Sequence, residues 1–284
     1  MIPTSFDYVR PATVDEAVGA LREAGEDAKV LAGGQSLIPV LRLRLAAPST
    51  LVDLSGIPDL VGIRDEDGVL VIGAMTTHAD VAASDLVRRH VPVVAEATET
   101  IGDRQVRHLG TFGGSLSHAD PAGDLPSVVT ALDATLVVAG PDGRREVPAA
   151  SFFTDYLTTA LAPDELLVEV HVPKFDGWGM HYEKFNRVAQ AWAIVGVAAA
   201  VRRDNGTIAE ARVALTNMGP TPVRARAVED ALAGESASLD AVAAAAAHAT
   251  EGTSPSDDIT GSADYRSHLA MVLTRRALAA AAGL

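Results

Sequence analysis

The 284-residue sequence contains no cysteine. This absence excludes disulfides, thiolate zinc sites and cysteine-ligated iron–sulfur clusters within the chain. The sequence also lacks an apolar run of about 18 residues and a charged-then-apolar leader, so we expect no membrane-spanning segment and a cytoplasmic location. Any iron–sulfur cluster that exchanges electrons with this chain must therefore belong to another chain.

Basic residues are scarce. The chain has 23 Lys and Arg against 37 Asp and Glu, which gives a net charge of −14. Such a charge repels phosphate backbones and anionic membrane surfaces, so it argues against a nucleic-acid partner. The length exceeds that of most single domains, and we expect two.

Helices and strands alternate in the first part of the chain. Thr13 and Glu16 have the spacing of a capping box, and Gly25 is placed to end the helix that follows. The patterns predict these further elements: a strand at 28–31, a helix through Leu43, a strand at 50–54, a hairpin that pairs 60–64 with 69–73, a helix opened by Thr77 and Asp80, helices at 91–100 and 126–133, and strands at 134–139 and 166–172.

The pattern changes after the segment Phe175–Gly179, where glycines flank a polar break, and we place the domain boundary there. Three strands are predicted next, at 181–187, 194–203 and 208–217, followed by three alanine-rich helices around 223–232, 239–249 and 264–282. Strands followed by helices predict an α+β domain.

Two glycine-rich segments stand out from this background. One is AGGQSL at Ala32–Leu37, directly after a strand, and the other is TFGGSLSHADPAGDLP at Thr111–Pro126, which we interpret as a loop. Glycine loops with nearby hydroxyls bind anions through backbone N–H groups, so two of them suit a pyrophosphate. Asp124 is placed to cap a following helix and also to hold a hydroxyl group. Neither segment has the Rossmann or P-loop glycine spacing.

Together, VLAGGQSL, TFGGSLSHADPAGDLP, LLVEVHVP and YEKF resemble the FAD-binding (medium) subunit of the molybdenum hydroxylases, a group that includes the carbon monoxide dehydrogenase flavoprotein and the flavin domain of xanthine dehydrogenase. The resemblance extends over the whole chain, including the tail SDDITGSADYRSHLAMVLTRRAL. It implies an α+β fold. A two-lobed, non-Rossmann (PCMH-type) FAD-binding domain would occupy residues 1–176, with lobes at about 1–55 and 56–176. A smaller α+β domain of the carbon monoxide dehydrogenase flavoprotein type, with a three-stranded antiparallel sheet and helices, would occupy 177–284.

The resemblance also implies a set of FAD-binding residues and no catalytic or metal-binding residue in this chain. The set is Val30, Leu31, Ala32, Gly33, Gly34, Gln35, Ser36, Leu37, Ile101, Thr111, Phe112, Gly113, Gly114, Ser115, His118, Asp124, Leu167 and Lys184. The sequence departs from the family pattern at Gln35, Phe112 and Ala191, where histidine, an aliphatic residue and aspartate are common.

Several interpretations stay open beside this one. His118, Asp120 and Asp124 could bind a metal ion, and Lys184 could be an ordinary solvated lysine. Trp192 could cover a flavin face or pack in a core, and Arg104 and Arg107 could steer an acidic partner or simply lie on the surface.

By resemblance, the chain is an oxidoreductase subunit that binds FAD non-covalently. It would receive electrons from a [2Fe–2S] small subunit fed by a molybdopterin-binding large subunit, within a dimer of heterotrimers, and pass them to an external acceptor. A self-contained FAD-dependent oxidoreductase is the main alternative, and a nucleotide-binding regulatory module is a third.

Overall fold

A computed structural model describes residues 2–284, so Met1, the first residue of the predicted FAD-binding domain, lies outside the described residues. Three sheets succeed one another along the chain, with three, five and four strands. A separate two-stranded ribbon is formed by Phe153–Asp155 and Thr158–Thr159. Of the helices in this part of the chain, none combines the length and apolar character that a bilayer crossing requires.

The first sheet is parallel. Its elements are β1 (Asp7–Val9), α1 (Val14–Ala24), β2 (Ala28–Leu31), α2 (Leu37–Arg42) and β3 (Thr50–Asp53). The Thr13 cap is confirmed, because Thr13 Oγ1 accepts the N–H of Glu16 at 3.2 Å. The Glu16 carboxylate accepts the N–H of Ala12 at 2.8 Å, one residue before the N–H of Thr13 that a capping box uses. Gly25 ends α1 with a φ of 73°, a value that favours glycine.

The second sheet is antiparallel, and the strand Leu166–Pro173 lies at its centre. The elements of this part are β4 (Ile63–Glu66), β5 (Val69–Gly73), α3 (His78–Ala83), α4 (Asp85–His90), α5 (Pro92–Glu99), α6 (Arg104–Leu109), α7 (Phe112–His118), α8 (Asp124–Ala131), β6 (Thr135–Gly140), β7 (Gly143–Pro148), α9 (Ala149–Phe152), β8 (Phe153–Asp155), β9 (Thr158–Thr159) and β10 (Leu166–Pro173), with 3-10 turns at Leu54–Gly56 and Pro58–Leu60.

Side chains alternate between the two faces of this sheet, and both faces are buried. In β6, Leu136 and Val138 pack into the core shared with α5, α7 and α8, whereas Val137 and Ala139 pack into the core shared with α1. Successive residues of a strand point to opposite faces, so this apolar strand joins the two lobes.

The third sheet is antiparallel. Its part of the chain contains β11 (Gly179–Phe185), β12 (Val195–Asp204), β13 (Thr207–Thr216), β14 (Val223–Arg224), α10 (Arg226–Leu232), α11 (Leu239–Ala246) and α12 (Ala263–Ala282). The three predicted strands are confirmed. A fourth one, β14, adds two residues at the edge beside β13, because Val223 and Arg224 pair with Leu215 and Ala214 instead of starting a helix.

One predicted loop is a helix. Within Thr111–Pro126, the residues Phe112–His118 form α7, with Thr111 as its N-cap and the Thr111 hydroxyl accepting the N–H of Gly114 at 3.2 Å. Phe112 and Leu116 are one helical turn apart, and both are fully buried. A good cap and two buried anchors outweigh the cost of two helical glycines, about 1 kcal/mol each. We predicted a loop because of the two glycines, but the cap and the two buried side chains stabilise a helix.

Candidate functional site

The first glycine segment forms a turn between β2 and α2, at the carboxyl end of a parallel strand. Gly34 has a φ of 70°, which favours glycine. Within residues 2–284, the backbone N–H groups of Gly33, Gly34, Gln35 and Ser36 find no hydrogen-bond acceptor, and all four residues are partly exposed. We call these four residues the donor turn. Consecutive N–H groups of this kind attract an anion.

The second segment does not supply the free backbone N–H donors that we predicted for it. The N–H groups of Phe112 and Gly113, which open α7, donate to the carbonyls of Thr76 and Ala74 at 2.9 and 2.8 Å. The first turn of α7 therefore offers no free N–H pair to a pyrophosphate. The partly exposed Ser115 keeps a hydroxyl that makes no hydrogen bond within residues 2–284, and it remains a candidate donor.

The donor turn packs against the backbone of Leu109 and Gly110, which directly precede the second segment. A Cβ atom added to Gly33 would lie 2.1 Å from the carbonyl oxygen of Leu109 and 2.6 Å from Cα of Gly110. One added to Gly114 would lie 2.6 Å from Thr111 Oγ1 and 3.4 Å from Cβ of Ala32. The glycines were expected to allow close approach of the cofactor. Gly33 also leaves room for the end of α6, and Gly114 leaves room for Ala32. These contacts hold the donor turn against the end of α6 and the start of α7.

Asp124 is the first residue of α8, and it does not cap that helix; Gly123 is the N-cap. The Asp124 carboxylate is 3% exposed. One of its oxygens accepts the hydroxyl of Tyr182 at 2.7 Å and the other accepts the ammonium of Lys184 at 2.8 Å. Lys184 also donates to the carbonyl of Thr100 at 3.2 Å, and its side chain is 5% exposed, so the alternative of a solvated lysine is wrong.

Burial shifts the pKa values of Asp124 and Tyr182. Burial raises the pKa of Asp124, and the Lys184 ammonium and the Tyr182 hydroxyl oppose that change. Burial, together with the Asp124 carboxylate, raises the pKa of Tyr182 well above 10.0. Tyr182 is therefore a proton-bearing donor at any ordinary pH, and it holds Asp124 in a fixed orientation.

The remaining predicted residues lie around the donor turn and around Asp124. Phe112 and Leu167 are core residues with 0% and 4% exposure, so their side chains support the site from beneath. Ile101 and Val30 are partly buried against the cores, and Leu31, Ala32 and Leu37 are partly exposed beside the donor turn.

His118 and Asp120 approach to 3.9 Å, but Asp124 faces Lys184 instead. Within residues 2–284 no group of three His, Asp or Glu side chains comes together, so the three residues of the metal alternative do not converge. Trp192 is 53% exposed, which excludes the core-packing alternative. Arg107 is partly buried and donates to the carbonyl of Ile101 at 2.8 Å, whereas Arg104 is exposed on α6.

Two residues near the site were missed. Tyr182 belongs to the face of β11 that carries Met180 and Lys184, and the period-two pattern of that strand could have identified it. His78, at the start of α3, is 4% exposed, and its Nδ1 has no partner within residues 2–284. A Cβ atom added to Gly110 would lie 2.8 Å from the His78 ring, so His78 supports the segment that contacts the donor turn.

Comparison with known proteins gives matches over nearly the whole chain. Residues 4–175 match the family described as the FAD binding domain in molybdopterin dehydrogenase, and residues 180–281 match the CO dehydrogenase flavoprotein C-terminal domain. The carbon monoxide dehydrogenase medium chain of Hydrogenophaga pseudoflava is 43% identical over 99% of this chain and 98% of its own length.

Two further matches agree with these. The 6-hydroxypseudooxynicotine dehydrogenase complex subunit alpha of Paenarthrobacter nicotinovorans is 38% identical over 99% of this chain and 96% of its own length. A solved structure of carbon monoxide dehydrogenase from Hydrogenophaga pseudoflava, which lacks the Mo-pyranopterin moiety of the molybdenum cofactor, superposes with a TM-score of 0.97 at 45% identity and covers 99% of this chain and 98% of that one.

Proposed function

The chain belongs to the family of FAD-binding subunits of the molybdenum hydroxylases, and from this membership we propose that its donor turn and the network around Asp124 hold FAD for electron transfer between subunits. The chain is an oxidoreductase flavoprotein subunit. When it is bound, FAD supplies two-electron chemistry that can also proceed in single-electron steps. The protein supplies binding, orientation and electrostatics.

The unpaired donors of the donor turn carry the proposal. Four consecutive N–H groups without a protein acceptor, beside the open hydroxyls of Ser36 and Ser115, fit the oxygens of a pyrophosphate. Asp124 keeps lone pairs beyond its bonds to Tyr182 and Lys184, so it can accept a cofactor hydroxyl. The proposed contacts comprise all the FAD-binding residues that the resemblance implied, with Phe112 and Leu167 acting from the core.

The proposal extends to partners, domains and location. A [2Fe–2S] small subunit and a molybdopterin-binding large subunit would complete the complex, as a dimer of heterotrimers in the cytoplasm. The absence of cysteine supports a cluster in another chain. The domains would meet at residues 176 and 177, between the end of β10 and the start of β11, and the lobes at about residues 55 and 56.

Mixing experiments test this function. The purified chain should show a flavin spectrum, should be reoxidised by an external acceptor after chemical reduction, and should not oxidise the organic substrate of the complex alone. Substrate-driven bleaching of the flavin should require both the cluster-bearing and the molybdenum-bearing subunits. Turnover of a small organic substrate by this chain alone would instead establish the self-contained oxidoreductase, and the absence of flavin would favour the regulatory module.

A further inference from the structure

Leucines and arginines share an exposed surface on α2 and the turn after it. Ile38, Leu43 and Leu45 are 44%, 56% and 75% exposed, and Arg42 and Arg44 are exposed among them. We call these five residues the Leu–Arg patch. Large apolar side chains grouped on a surface mark an interaction site more often than single ones do.

The Leu–Arg patch is a basic region of an acidic protein. Residues 28–52 contain three basic residues and no acidic one, whereas the whole chain has a net charge of −14. Within residues 2–284, neither Arg42 nor Arg44 pairs with a carboxylate; Arg44 donates instead to the carbonyl of Ile2 at 3.2 Å. Ile2 is itself 82% exposed. Both guanidinium groups can therefore bind carboxylates of another protein.

The Leu–Arg patch adjoins the donor turn. α2 begins at Leu37, directly after the four unpaired N–H groups. The side chain of Ile38 lies over the turn, since a Cβ atom added to Gly34 would be 2.6 Å from Ile38 Cδ1. A protein that docks on the patch would thus lie beside the turn that we propose binds the FAD pyrophosphate, and an electron-transfer partner has to bind close to the cofactor.

We propose that the Leu–Arg patch is the docking surface for the [2Fe–2S] subunit, and from the patch we expect the contact surface of that subunit to be apolar and rimmed by carboxylates. The identity of this partner rests on the proposed function. A second copy of this chain fits less well, because a two-fold contact through the patch would set Arg42 and Arg44 against the same arginines.

Binding measurements with matched variants test the proposal. The [2Fe–2S] subunit is isolated from the native complex, identified by the electron paramagnetic resonance of its clusters, and immobilised. The full chain is then bound to it at about 50 and 200 mM salt, a range over which screening weakens exposed charge pairs. The variants are Arg42→Glu with Arg44→Glu, and Leu43→Ser with Leu45→Ser. The charge control is Arg22→Glu with Arg275→Glu, two exposed arginines elsewhere that undergo the same change in net charge.

Both patch variants should bind at least tenfold more weakly, with unchanged flavin content, and the charge-reversal variant should lose most of the salt dependence. The control should bind like the wild type. Full binding by the patch variants, an equal loss in the control, or loss of flavin along with binding would each overturn the proposal. A wild-type dimer in light scattering that Leu43→Ser with Leu45→Ser abolishes would assign the patch to a second copy instead. A wild-type chain that holds flavin but binds no [2Fe–2S] subunit would overturn the proposed function itself.

Discussion

Asp124 and Lys184 form a buried ion pair with a 2.8 Å separation between Oδ2 and Nζ. Asp124 opens α8 and Lys184 lies in β11, so the pair joins the two predicted domains. Tyr182, two residues before Lys184 on the same strand, binds the other carboxylate oxygen. If the predicted boundary at residues 176 and 177 is right, the side chains around Asp124 come from both predicted domains, and neither domain alone contains all of them.

Removal of the Lys184 ammonium from the ion pair with Asp124 should destabilise the protein. Lys184→Met leaves the Asp124 carboxylate buried without its cation, and we expect a loss of about 3–5 kcal/mol in the free energy of unfolding. Urea denaturation of the flavin-free protein measures it. Lys184→Met combined with Asp124→Asn should recover much of the loss, because no unpaired charge stays buried. A double variant no more stable than Lys184→Met would contradict the ion-pair explanation.

Asp124→Asn alone should weaken FAD binding. The amide keeps the size of the side chain but loses an acceptor oxygen, and a lost hydrogen bond to a charged group costs about 1.5–3 kcal/mol. Flavin titration followed by fluorescence gives the affinity. Circular dichroism of the same samples separates this effect from a loss of fold. Unchanged affinity in a folded variant would remove Asp124 from the cofactor site.

Gly33→Ala should separate the donor turn from the end of α6. The added Cβ atom would lie 2.1 Å from the carbonyl oxygen of Leu109, a backbone atom that cannot move aside cheaply. We expect a loss of at least tenfold in FAD affinity. Gly19→Ala in α1 is the matched control, because nothing lies within 4 Å of its Cβ position; it should keep the affinity and gain up to about 1 kcal/mol in stability. Equal affinities in the two variants would rule out this role for Gly33.

His78 should make stability depend on pH. Burial and the nearby Arg107 guanidinium lower its pKa from 6.5 to about 4. Between pH 6.5 and pH 4 the unfolded chain binds a proton at His78 that the folded chain does not. The contribution of His78 to the free energy of unfolding is therefore complete above pH 6.5 and is lost as the pH falls towards 4. The loss amounts to about 3 kcal/mol. In urea titrations at pH 7 and 4.5, His78→Gln should lose less stability than the wild type, whereas the exposed His268→Gln should match it. If His78→Gln lost as much stability between pH 7 and pH 4.5 as the wild type, His78 would not be the group responsible.

The flavin should leave the protein on denaturation. The chain has no cysteine for a covalent link, and the donor turn offers hydrogen bonds only. Acid precipitation or heat should therefore leave the yellow colour in the supernatant. A coloured pellet after exhaustive washing would point to a covalent flavin.

Local signals predicted much of the fold. The cap at Thr13 and the continuous apolar run of β12 act over a few residues, so the sequence shows them directly. The contact of Gly33 with Leu109 and the pair of Asp124 with Lys184 join residues far apart in the chain, and no periodicity encodes them. α7 escaped prediction because glycine composition suggested a loop, whereas the Thr111 cap and the buried Phe112 decided for a helix.

The central place of β10 also has a consequence for protein synthesis. β5 and β6 pair with β10 on either side, yet β10 is the last strand of that sheet to leave the ribosome. A nascent chain from which β6 has left the ribosome but β10 has not therefore holds two apolar strands with unpaired edges, a state that aggregates readily. Slow codons that hold synthesis at this stage should lower the yield of folded protein more than the same codons placed where β10 has already emerged.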